Sequence, residues 1–124
     1  MGIAYEQNLT PINVPANADL SASQFCAVSI NSSGNIALTA AAAAADGILQ
    51  DKPAAAGRPG SVASCPGQIC TAKLGTGGAT KGDLLEVVGT GGGLTTQTSG
   101  KIVAKALQTG LVGDFIPVLL ILQR

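Results

Sequence analysis

The stretch KLGTGGATKGDLLEVVGTGGGLTT, residues 73–96, is where residue types and spacing come nearest to a chemical motif. Glycine-rich loops that carry a lysine often cradle nucleotide phosphates. A P-loop needs Gly, four residues, then Gly-Lys-Ser/Thr. Here Lys81 follows Thr80 and precedes Gly82 and Asp83, so the lysine lies on the wrong side of its glycine. Asp83 also puts a carboxylate where phosphate would sit. The dinucleotide fingerprint fails as well, because from Gly89 and Gly91 the next required glycine falls on Leu94. Both loops run into strand-like segments, so no helix N-terminus faces a phosphate. The glycines read as hairpin turns, and a nucleotide-binding protein is the weakest of the functional alternatives.

Other chemistry is equally sparse. Histidine is absent, which removes Ser-His-Asp and Cys-His catalysis within this chain. A serine nucleophile with a lysine base has residues available, but no spacing points to it. The carboxylates Glu6, Asp19, Asp46, Asp51, Asp83, Glu86 and Asp114 all fall in predicted loops or the N-terminal segment, Glu86 excepted. No two are spaced to share a face, as a glycosidase pair or a metal site requires. Cys65 and Cys70 flank PGQI and Cys26 stands alone; three small apolar core residues is the first reading, a Cys65–Cys70 disulfide the second. The expectation is a protein with no enzymatic activity, cofactor or metal.

Charge and hydropathy point to a partner of another kind. Seven basic residues balance seven acidic ones, whereas nucleic-acid binding draws on a basic excess. The longest apolar run, FIPVLLIL at 115–122, is too short to span a bilayer as a helix. Neither nucleic acid nor membrane is expected as a partner. MGIAYEQNLT lacks the basic and apolar regions of a signal peptide, which points to synthesis in a cytoplasm. So few charges fit a surface partly hidden in an assembly.

The elements that position these residues read as β. Residues 1–22 read as an extended N-terminal arm, since Pro11 and Pro15 disfavour a continuous helix. The arm carries apolar Ile3, Tyr5, Leu9, Ile12 and Val14, candidates for contact with another subunit or partner. Lys52 and Arg58, in the loop DKPAAAGRPG, are candidates of the same kind. Residues 23–124 read as a single β-rich domain: short strands separated by glycine turns, the pattern of a small β-barrel or sandwich. QFCAVSI, NIALT, GILQ, SVAS, QICTAKL, LLEVV, LTTQT, KIVAKALQ and FIPVLLIL are the strand candidates. Six alanines at 40–45, with Thr39 before and Gly47 after, predict at most one short helix. Pro117 predicts an edge position or a strand start for its segment. No internal repeat is legible.

DGILQDKPAAAGRPGSVAS, then KGDLLEV, GGGLTT, KIVAKALQTG and DFIPVLLIL, resemble the small capsid decoration, or cement, proteins of tailed bacteriophages. The resemblance covers roughly residues 45–122, and Cys65, Cys70 and the poly-alanine run depart from it. It implies a non-catalytic β fold on the outer capsid surface of a virion, made in the host bacterial cytoplasm. It also implies the major capsid protein as partner, bridging of capsid subunits, and a homo-oligomer with a trimer favoured. Another structural β module, such as a tail, fibre or pilus subunit, is the alternative.

Overall fold

The computed structural model describes residues 11–124. The fold is all-β. Ten strands occur in chain order: β1 Ile12–Pro15, β2 Ala27–Ile30, β3 Ile36–Leu38, β4 Gly47–Leu49, β5 Pro59–Ala63, β6 Ile69–Lys73, β7 Leu84–Val88, β8 Gly93–Thr96, β9 Ala104–Ala106 and β10 Phe115–Leu120. They form two five-stranded antiparallel sheets, ordered β1-β5-β4-β2-β3 and β6-β10-β9-β7-β8. The sheets pack on each other as a sandwich, and neither closes into a barrel. Part of the segment expected as an arm supplies β1, which pairs with β5 from Ile12↔Val62 to Pro15↔Pro59.

Renumbering β6–β10 as one to five turns the second order into the first. The chain is therefore two copies of one unit in tandem, and the correspondence holds residue by residue. Ile12↔Val62 in β1–β5 matches Cys70↔Val118 in β6–β10. Ala27↔Ile48 matches Leu84↔Lys105, and Ile30↔Ile36 matches Val87↔Leu94. Every ladder pairing in the first sheet has such a counterpart in the second. Each sheet also curls until its first strand meets its third at one parallel bridge, Ala16↔Ile36 in one unit and Leu74↔Leu94 in the other, 58 positions on. The reading that found no internal repeat is thereby corrected.

The core follows from the alternation of side chains along strands. One face of the first sheet carries Val14, Val28, Leu49 and Val62, which close with Ala16, Leu20 and Ile36 into a small cluster inside the curl. The opposite face carries Ala27, Ile48 and Ala63, and these join the larger cluster built from the second unit. The first sheet is thus buried on both faces, which needs small and aliphatic side chains and leaves little room for aromatics.

The alanine run, expected to hold at most one short helix, holds none among the described residues, and two other local expectations are corrected. Ala42 sits at φ 60, its N–H donates to the Val87 carbonyl at 2.9 Å, and its carbonyl accepts from Lys101 N–H at 3.0 Å. Bonds to the second unit replace those of a helix too short to sustain itself. Pro59 and Gly60, read as loop breakers, begin β5 instead. Pro117 lies in β10, an interior strand between β6 and β9 rather than an edge. Its carbonyl accepts from Leu107 N–H at 3.1 Å, just past the end of β9. Pro117 has no N–H to return that bond, and the β9 ladder ends beside this pair.

Candidate functional site

The glycine loops are turns in the structure. Gly82 has φ 92 and leads into β7. Asp83 Oδ2 accepts from Thr80 N–H at 2.9 Å and from Thr96 Oγ1 at 2.8 Å, so its carboxylate staples the turn to β8. Those bonds hold the Asp83 carboxyl below the usual carboxylate range. Lys81 donates its backbone N–H to Thr109 Oγ1 at 2.9 Å, and its side chain is exposed.

Glu86 is the one carboxylate that the sequence places in a strand rather than a loop or the N-terminal segment. It is buried in β7, where it accepts from Thr98 N–H at 3.2 Å, from Thr98 Oγ1 at 2.9 Å and from Gly100 N–H. Burial pushes its carboxyl up, but bonds from the backbone and hydroxyl of Thr98 and the backbone of Gly100 and Ser99 outweigh that and hold it low. These bonds tie the turn through Thr98 and Gly100 to β7. Among the described residues, no three His, Cys, Asp or Glu side chains stand together as a metal site would need. The three cysteines are free thiols; Cys26 and Cys70 are buried and Cys65 is exposed. Burial pushes the Cys70 thiol up to about 12.

What the surface offers is shape and apolar area. The loop before β5 and the loop before β10 are equivalents with the same backbone. Arg58 N–H bonds the Ala55 carbonyl at 3.2 Å and Asp114 N–H bonds the Leu111 carbonyl at 3.1 Å; Gly57 and Gly113 have φ 85 and 86. Their side chains differ. The first loop shows alanines flanked by Lys52 and Arg58. The second shows Leu111 and Val112, the most exposed large apolar residues described, with Phe115 close behind. Phe115 meets Phe25 edge to face at 5.4 Å between ring centroids. Beside this tip is an open concavity of about 390 Å³, walled by Lys73, Thr76, Thr90 and Val112 over Gly75 and Gly93.

The candidate contact residues named from sequence fall in different places. Ile3, Tyr5 and Leu9 lie outside the described residues. Ile12 is exposed on β1, whereas Val14 is buried in the first unit's inner cluster and serves the fold. Lys52 and Arg58 are exposed on one loop. Sequence reasoning missed Leu111, Val112 and Phe115; the signal was two adjacent apolar residues inside a turn, TGLVGD.

No family model matches the sequence, and no curated protein matches it. The fold is similar to that in the crystal structure of the head fiber gp8.5 N base of bacteriophage phi29. The TM-score is 0.68 at 16% sequence identity, covering 94% of this chain and 98% of that one.

Proposed function

We propose that the chain is a structural protein of a phage virion, seated on the outer surface of the assembled head. The observation that carries this reading is the shared fold with a head-fiber base over nearly the whole of both chains. The resemblance of residues 45–122 to capsid decoration proteins supports it independently. In this reading the protein bridges major capsid protein subunits, using the Leu111–Val112 tip and Phe115 as apolar anchors, with Lys52 and Arg58 as polar contacts. Such binding stabilises the shell by linkage: a ligand that binds only the assembled form shifts the equilibrium toward it. The same fold likeness favours a second reading, in which the chain is the base of a projecting fibre.

The test is co-sedimentation of purified protein with expanded shells of its own phage, followed by thermal melting of the shells. Binding with a raised shell melting temperature is the expected result. No binding overturns the proposal. Binding with unchanged shell melting, together with loss of projections from virions lacking the protein, selects the fibre base.

A further inference from the structure

The internal repeat marks two faces that the described residues leave uncovered. The two units pack head to tail: the first presents one surface and the second presents a different one. The first unit contributes the outer face of its sheet, Ala27, Ile48 and Ala63. The second contributes the open side of its curl, between β6 and β8. There, Lys73 N–H bonds the Phe25 carbonyl and Ala27 N–H bonds the Gly92 carbonyl, both at 2.8 Å. Gln50 Nε2 reaches the Thr71 carbonyl at 3.3 Å. Cys70 and Val87 lie under this junction, in the same cluster as Ala27 and Ile48.

Each surface has an equivalent on the other unit. The counterparts of Cys70 and Val87 are Ile12 and Ile30. Cys70 and Val87 are 6% and 2% exposed, while Ile12 and Ile30 are 40% and 43% exposed. The counterpart of Ala27 is Leu84, and exposure rises from 0% to 39%. Three of the six exposed large apolar residues described therefore sit where the repeat buries its own equivalents. Charge agrees. Ile48 and Val103, both fully buried in the larger cluster, correspond to Lys105 and Asp46, which are opposite in sign; Asp46 Oδ2 accepts from Ile30 N–H at 2.7 Å within its own unit. Asp46 also pairs with Arg124 of its own chain, whose side chain is exposed, a contact that solvent weakens.

We infer that a second copy of this chain occupies these faces. The outer face of its second unit (Leu84, Lys105, Leu119) seats on the open side of the first unit (Ile12, Ile30, Asp46), repeating the internal junction between molecules. Because the two faces differ, the contact is heterologous. Successive copies form a ring if the rotation closes and a filament if it does not. This inference is independent of what the assembly binds.

The experiment is light scattering on the size-excluded full chain at its highest soluble concentration, with Ile30→Lys and Leu84→Lys variants. The wild type is expected at a multiple of 12.1 kDa, and each variant as a monomer with an unchanged far-ultraviolet circular dichroism spectrum. Mixing the two variants is decisive. Ile30→Lys retains a good second-unit face and Leu84→Lys a good first-unit face, so the mixture forms a heterodimer. A monomeric wild type, variants that keep the wild-type mass, or a mixture that stays monomeric would each overturn the inference.

Discussion

Ala27 donates its backbone N–H to the carbonyl of Gly92 at 2.8 Å, and that bond fastens the first unit to the β7–β8 turn of the second. Gly92 has φ 74, and a Cβ there would meet the Ala27 carbonyl oxygen at 2.8 Å and Cys26 Cβ at 3.0 Å. Gly92→Ala therefore combines backbone strain, about 1–2 kcal/mol, with a clash worth about 1–3 kcal/mol. Gly113, at φ 86 with open space around it, suffers the strain alone. Urea denaturation should show Gly92→Ala losing clearly more stability than Gly113→Ala. Equal losses would mean that the junction yields freely.

The junction also sets cooperativity. Ile48 comes from the first sheet but is fully buried in the second unit's cluster. Ile48→Ala should cost about 2–5 kcal/mol and leave a single unfolding transition. Two separated transitions would show that the units fold independently.

Glu86 gives an acid dependence with a definite sign. Its carboxyl is held below the ordinary glutamate value of 4.5 in the folded chain. Its contribution is therefore present above that value and is lost as pH falls through the lower folded value. Glu86→Gln keeps the shape but turns an amide toward the donors of Thr98 and Gly100. The variant should be less stable at neutral pH, and its deficit should shrink on acidification. A deficit that does not vary with pH would contradict the hydrogen-bond account.

Thiol accessibility is a direct check on packing. Cys65 is exposed, while Cys26 and Cys70 are buried with thiols pushed up by burial, Lys73 partly offsetting the effect at Cys26. Thiolate is the reactive form. Titration with a coloured disulfide reagent should modify one thiol in the native chain and three in denaturant. Rapid modification of two or more in the native state would contradict the packing of Cys70 in β6 or of Cys26 before β2.

Removal of the N-terminal segment has to respect β1. Deleting residues 1–20 would take out Val14, Ala16 and Leu20, all members of the first unit's inner cluster. Deletion of residues 1–10 keeps Val14, Ala16 and Leu20, and the isolated protein should still melt cooperatively. If Ile3, Tyr5 and Leu9 contribute to capsid contact, co-sedimentation with shells should weaken. Full-strength binding would remove them from the contact.

Much of the fold is legible in the chain. The glycine turns and period-two apolar runs locate most strands, and the position of Lys81 on the wrong side of its glycine is enough to exclude a phosphate loop. The repeat is not legible, because equivalent positions share backbone roles rather than side chains. Phe25 and Gly82 are the same positive-φ position, at 68° and 92°; Ile48 and Lys105 are the same strand position. Pro117 misleads for a related reason: whether a missing N–H matters depends on which neighbour ends beside it.

By itself, then, the sequence determined a β-rich chain without histidine, with basic and acidic residues in balance and with turns at its glycines. Those properties belong to residue types and local spacing. Only the tertiary structure decided that Val14 is core and Ile12 is surface, that Glu86 folds a turn, and that Ile30 and Leu84 stand uncovered. Burial is a property of what packs against a strand, and the partner strands here come from positions tens of residues away.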